Sequence, residues 1–154
     1  MTRWVETVER FVPTAPEAIF ALVANPRRHH EIDGSGTVRA ATDVPDRLQV
    51  GSTFGMDMEY GGGYSMVSTV TEYEPARRIA WQSRPAPGSS WWRGFFGGRI
   101  WRYELEPVEG GTLVRESWDL REEPLRAVVW GYRRTTRGNM QRTLERIAGL
   151  VEEQ

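Results

Sequence analysis

After Glu123-Pro124 the chain runs to Glu152 without another proline, and Met140, Leu144, Ile147 and Val151 step through this stretch by four, three and four. That spacing puts the four on one helical face. Val128, Val129 and Tyr132 extend the face upstream. A continuous helix here would be roughly 40 Å long. Gly131 and Gly138 fall inside it, each weakening it by about 1 kcal/mol relative to Ala, and they allow a kink or a close approach to a neighbouring layer. An amphipathic helix of this length needs a wide apolar surface to pack on.

The residues before it are patterned as strands and tight turns. Arg3 to Val12 sets Trp4, Val8 and Val12 at even intervals, which favours a first strand. Pro13-Thr14-Ala15-Pro16 stops it. Thr14 is placed to cap a helix, with Pro16 in its first turn and Glu17 third after the cap. Ala18, Ile19, Phe20, Leu22 and Val23 supply the apolar face of that short helix. Asn25-Pro26 breaks it, and Arg27 to Ile32 gives a further turn of helix before Asp33-Gly34-Ser35-Gly36. Six strands are then expected: Thr37–Val44, Ser52–Tyr60, Tyr64–Glu74, Ile79–Ser83, Ile100–Glu106 and Leu113–Leu120. Gly61-Gly62-Gly63, Glu74-Pro75-Ala76-Arg77 and Glu109-Gly110-Gly111 mark hairpin turns, so the sheet is expected to be antiparallel.

Composition narrows the chemistry. The 154 residues fit one domain, 1–154. The net charge of -1 comes from 20 basic and 21 acidic residues, a balance that argues against a nucleic-acid partner. Every basic residue is Arg, so no side-chain amine is available for a Schiff base. Cys is absent, which excludes disulfides, a thiolate nucleophile and Cys-ligated zinc. No apolar run approaches ~20 residues, and Met1 to Phe11 lacks the apolar core of a signal peptide. A cytoplasmic location is the expectation.

Three segments carry a family likeness. "FVPTAPEAIFALVANPRRHHEID" (Phe11 to Asp33), "VTEYEPARRIAWQS" (Val70 to Ser83) and "MQRTLERIAGLVEE" (Met140 to Glu153) resemble three parts of the START-like (SRPBCC) superfamily, in its polyketide cyclase/dehydrase-like branch. They match its first strand and helix pair, its fourth and fifth strands, and the end of its long helix. The resemblance spans nearly the whole chain. It implies an α+β helix-grip fold: a curved antiparallel sheet of six to seven strands wrapped around a long C-terminal helix, with two short helices after strand 1. It also implies a mostly apolar cavity between sheet and helix. Function is left wide, because the superfamily includes carriers, cyclases, receptors and co-chaperones.

Residues expected to line such a cavity are Phe20, Phe54, Met56, Met58, Tyr60, Trp81, Trp101, Tyr103, Trp118, Val129 and Tyr132. Any one of them could equally be ordinary core. As a group, with seven Trp and five Met in the chain, they suit an irregular hydrophobic ligand. Trp91, Trp92, Phe95 and Phe96 sit in a Gly-rich connection, where loops are normally polar. They read as a lid over the cavity mouth, with three alternatives: a transient membrane contact, a homodimer patch or simple extension of the neighbouring strands.

Polar candidates are fewer. Asp57 and Glu59 oppose the Phe54 face and should be solvated, whereas Glu116 shares a face with Val114, Trp118 and Leu120. Glu116 should therefore point inward, with Arg102 or a Tyr hydroxyl as partner, in an ion pair or as an acid–base group. Neighbours on a helix lie about 100° apart, so His29 and His30 cannot face the same way. One of the two, with His30 the candidate, could meet the cavity rim as a donor or base; a solvated helix end is the alternative. His29, His30, Glu31 and Asp33 lack metal-site spacing, and neither a metal nor a cofactor is expected. Arg133, Arg134 and Arg137 form a basic strip on the last helix, either solvated or turned to an anionic ligand group.

Two function classes lead. One is a carrier or sensor of a lipid, polyketide, isoprenoid or aromatic metabolite. The other is a polyketide cyclase, aromatase or dehydratase acting in the same cavity, for which Glu116, His30 and Arg102 are the catalytic candidates. A co-chaperone-type protein-binding module is the third.

Overall fold

The computed structural model describes residues 3–59, 63–88 and 96–152. Alternating apolar and polar residues build seven strands: β1 (Val5–Val12), β2 (Val38–Thr42), β3 (Thr53–Glu59), β4 (Gly63–Glu74), β5 (Arg78–Pro85), β6 (Arg99–Val108) and β7 (Gly111–Asp119). They form one sheet in the order β1-β7-β6-β5-β4-β3-β2, and every neighbouring pair is antiparallel. From β2 to β7 each strand folds back on the one before it. β1 closes the far edge beside β7.

Turn chemistry sets this order. The β4–β5 turn is held by Arg77 N–H donating to the Glu74 carbonyl at 3.0 Å, with Ala76 at a φ of 60°. Bulges fall between Val38 and Ala40 and between Val70 and Glu72, and the added local twist helps the sheet curve.

Two short helices fill the β1–β2 connection: α1 (Pro16–Val23) and, after a 3-10 turn at Pro26–Arg28, α2 (His29–Ile32). The expected Thr14 cap is not made. Ala15 occupies the N-cap position without a side-chain bond, and Pro16 with its preset φ opens the helix instead. The Thr14 carbonyl accepts from Thr112 Oγ1 at 2.8 Å, which ties the α1 approach to β7.

The C-terminal helix is less uniform than its spacing predicts. α3 (Arg126–Val129) passes through a 3-10 turn at Trp130–Tyr132 into α4 (Arg133–Glu152). Gly131 lies in that turn, whereas Gly138 leaves α4 uninterrupted. α4 buries Met140, Leu144, Ile147, Ala148 and Val151 and packs on β1, β7, α1 and α2. Each large apolar side chain so buried contributes about 1.5–3 kcal/mol. The α2–β2 loop docks on α4 at Gly34, whose N–H donates to Thr143 Oγ1 at 2.9 Å and whose carbonyl accepts from Arg142 Nε at 3.1 Å. Among the described residues no helix is long and apolar enough to cross a membrane.

Candidate functional site

Residues facing each other across antiparallel strands project to one side of the sheet. Register therefore builds a row across four strands: Val70 faces Trp81, Trp81 faces Trp101, and Trp101 faces Trp118. The next row places Ile79 opposite Tyr103 and Tyr103 opposite Glu116, with Val8 of β1 beyond. This is the face that receives the helices, and its aromatics stack. Tyr103 lies on Trp81 with centroids 5.7 Å apart, Phe54 meets Trp81 edge-on at 5.9 Å, and Trp118 stacks on Trp130 at 6.3 Å.

The residues expected to line a cavity differ in burial. Phe20, Phe54, Met56, Trp81, Tyr103, Trp118 and Val129 are buried, and Met58 and Trp101 are half-buried against them. Tyr132 is the correction: it is 63% exposed, because the 3-10 turn rotates it off the face that α4 presents to the core. Tyr60, Trp91, Trp92 and Phe95 lie outside the described residues. Phe96 is half-buried and packs against the core.

Glu116 is the buried carboxyl of this wall among the described residues, as strand alternation predicts, and Ser68, Ser83 and Thr112 are buried there with it. Its Oε2 accepts from the Tyr103 hydroxyl at 2.9 Å, so the Tyr hydroxyl is its partner. Arg102 is one residue away on β6 and therefore on the opposite face. There its Nε sits 2.7 Å from Glu72 and its Nη1 3.3 Å from Asp119. Burial pushes the Glu116 carboxyl up to about 8, the Tyr103 hydrogen bond opposes the shift, and the charge of Asp33 adds to it. Burial likewise raises the Tyr103 hydroxyl well above its ordinary range. Both groups hold their protons at pH 7.

The histidines exchange the roles expected of them. His30 is exposed and His29 is buried. The His29 ring stacks on Trp81 at 4.9 Å, and Nε2 donates to the Val23 carbonyl at 2.8 Å. Burial lowers its pKa to about 4, against smaller raising effects from the Val23 bond and Asp33. Neutral at pH 7, it is an apolar plate with one satisfied donor. Among the described residues no group of three or more His, Asp or Glu could hold a metal ion.

The connection into β6 is pinned beside this wall. Glu123 is fully buried and accepts from the Gly97 N–H, and it forms an ion pair with Arg99 at 3.3 Å. Gln82 Nε2 donates to the Gly98 carbonyl at 3.0 Å and to Glu122 at 2.8 Å. Gly98 has a φ of 105°, where a side chain would be strained.

A curved antiparallel sheet closed by two short helices and one long one, with an aromatic inner wall around a buried carboxyl, defines a helix-grip α+β protein of the START-like (SRPBCC) type. Residues 3–152 match the family described as "Polyketide cyclase / dehydrase and lipid transport", and the chain belongs to it. It is 40% identical over 116 residues to the uncharacterized protein Rv0088 of Mycobacterium tuberculosis, a match covering 73% of this chain and 46% of that protein. The chain thus spans about half the length of the curated relative. Its fold is similar to protein NE0264 of Nitrosomonas europaea, with a TM-score of 0.72 at 13% identity over 99% of this chain and 97% of that one. It is also similar to DynU16, from the dynemicin biosynthetic locus, with a TM-score of 0.65 at 14% identity over 98% of this chain and 48% of that one. At such identities the likeness concerns the fold.

Proposed function

We propose that the chain binds or carries a hydrophobic small molecule (a lipid, polyketide, isoprenoid or aromatic metabolite) between the sheet and its helices. The observation that carries this reading is the inner wall, where Phe54, Met56, Trp81, Tyr103 and Trp118 present adjoining buried aromatic and thioether surface. A family whose description spans polyketide cyclisation, dehydration and lipid transport supports it. Flat rings and polarisable sulfur accommodate ligands of irregular shape. Native mass spectrometry of the purified protein, with organic extraction of whatever is bound, tests the reading. A copurifying hydrophobic molecule, lost on changing Trp101 to Asp, is the expected result. A bare protein mass that stays unchanged after incubation with lipids, isoprenoids and aromatic polyketides would overturn it.

A second reading, polyketide cyclase- or dehydratase-type catalysis, is favoured by one observation. The neutral Glu116 carboxyl, hydrogen-bonded to Tyr103, is a proton donor held in an apolar wall.

A further inference from the structure

The inner wall leaves two buried polar atoms without a hydrogen-bond partner among the described residues: Glu116 Oε1 and Trp118 Nε1. They belong to successive inward positions of β7, on residues 3% and 1% exposed. An unmade hydrogen bond on a buried group is costly, and native interiors contain few of them. Two on successive inward positions of one strand single out this stretch of the wall as a candidate contact for a polar group of a ligand. Other buried polar atoms that lack a hydrogen bond differ in kind. Arg99 Nε and Glu123 Oε2 face each other as an ion pair at 3.3 Å, and Thr71 Oγ1 stands at the β4 bulge.

The two atoms share one chemistry. Indole Nε1 is a donor and never an acceptor. Glu116 has no basic side chain paired to it among the described residues, and an uncompensated carboxyl in such a place keeps its proton. Because Oε2 accepts from Tyr103, that proton is carried on Oε1. Both open positions are therefore donors, and what both lack is an acceptor.

We infer that the hydrophobic ligand carries a carbonyl group, as in a ketone, ester or quinone, whose oxygen is bound by Glu116 and Trp118. A carbonyl oxygen offers two lone pairs and brings no proton that would need a partner of its own. An alcohol would add a third donor beside two unpaired ones. A carboxylate would bring a net charge into an apolar wall. This inference rests on the binding reading above and specifies the ligand class for it.

Matched probes test it: 9-fluorenone against fluorene, and 2-acetylnaphthalene against 2-ethylnaphthalene, each titrated by Trp fluorescence quenching. Infrared spectra of the bound, carbon-13-labelled fluorenone carbonyl provide a second readout. The wild-type protein is expected to prefer each ketone over its hydrocarbon by about tenfold, the effect of one to two net hydrogen bonds. Its carbonyl stretch should move to lower frequency than in hexane. Trp118→Phe keeps the ring and removes the N–H; Glu116→Leu removes the carboxyl. Each should reduce the preference, taken as the ratio of ketone to hydrocarbon affinity within that variant, to about threefold or less. Glu116→Gln keeps an acceptor for Tyr103 and a neutral donor for the ligand, so it should retain both preference and band shift, which separates loss of the donor from loss of folding. Hydrocarbon binding without a ketone preference, or a preference that survives Trp118→Phe and Glu116→Leu, would overturn the carbonyl assignment and leave the binding reading standing. Failure of all four probes, with native mass spectrometry also empty, would overturn both.

Discussion

His29 lies nearly parallel to Trp81, centroids 4.9 Å apart and planes inclined by 23°. The contact joins α2 to the middle of the sheet and buries the imidazole. With Nε2–H given to the Val23 carbonyl, a second proton would place a charge on a buried ring, and burial accordingly lowers its pKa to about 4. Glu116, elsewhere on the same wall, is shifted upward to about 8. Two buried groups thus couple folding to pH in opposite directions.

His29 titrates at about 4 when folded against an ordinary 6.5, so its contribution of about 3 kcal/mol is lost as pH falls from 6.5 to 4. Glu116 titrates at about 8 when folded against an ordinary 4.5, so its contribution is present below 4.5 and is lost as pH rises toward 8. Between about 4.5 and 6.5 the two slopes cancel, and above 6.5 only Glu116 of the pair continues to act. Tyr103, which faces Glu116, and Asp33, which acts on both groups, are the same in the wild type and in Glu116→Gln. Urea midpoints measured every half pH unit should fall above pH 6.5 in the wild type and stay level there in Glu116→Gln. Parallel profiles for the two proteins would refute the assignment.

The contrast between Glu116 and His29 shows what the sequence makes legible. Strands alternate with a period of two, so the inward side of β7 follows from Val114 and Trp118, and the burial of Glu116 follows with it. The row Trp81, Trp101, Trp118 and the outward position of Asp57 and Glu59 are fixed by the same rule. α2 spans only His29 to Ile32, about one turn, and that is too short for periodicity to choose which histidine points in. Tyr132 departs from its expected face for a related reason: spacing extrapolated from α4 assumes 3.6 residues per turn, and the 3-10 turn at Trp130–Tyr132 breaks the phase. Arg102 was legible as an outward residue from alternation with Trp101 and Tyr103. Charge complementarity to Glu116 points the other way, but alternation decides the face.

Gly34 should tolerate no side chain. A Cβ there would lie 2.1 Å from the Asn139 carbonyl oxygen and 2.8 Å from the Thr143 nitrogen, both backbone atoms of α4. Relief requires the α2–β2 loop to lift, which breaks the Gly34 bonds to Thr143 and Arg142. Gly34→Ala is expected to cost more than about 2 kcal/mol. Gly36→Ala, at a φ of 75° but with open space around it, should cost about 1 kcal/mol. Thermal melts of the two variants check the ranking, and equal losses would show that the loop does not bear on α4 as described.

Arg102 should matter to stability and be silent in ligand binding. It sits on the outer face between Glu72 at 2.7 Å and Asp119 at 3.3 Å. Burial would raise the Asp119 carboxyl, but the bonds from Arg121 and Arg102 hold it below its usual range. Arg102→Met removes one cation from Asp119 and leaves Arg121 at 2.6 Å, so a loss of about 1 kcal/mol is expected. Ligand affinity and its pH dependence should match the wild type within twofold, about 0.4 kcal/mol. A tenfold change in affinity would return Arg102 to the site.

Glu123 holds the connection that enters β6. Glu123 is buried with its carboxylate shared between the Gly97 N–H and Arg99, and breaking such a pair from one side strands the other partner. Glu123→Ala should therefore destabilise the protein by about 3 kcal/mol. Glu123→Gln keeps an acceptor for Gly97 but gives up the charge facing Arg99, and should cost less. Gly98→Ala attacks the same junction from the other side: the added Cβ would lie 2.5 Å from the Glu122 carbonyl oxygen at a φ that disfavours it. If the junction is one clamp, Glu123→Ala and Gly98→Ala together should cost less than the sum of their separate effects, since either change alone already frees the segment. Hydrogen exchange should localise the damage, with faster exchange at Gly97 and Gly98 in both single variants. Additive losses, or exchange that accelerates evenly across the sheet, would mean that Glu123 supports the core generally and does not hold this connection in place.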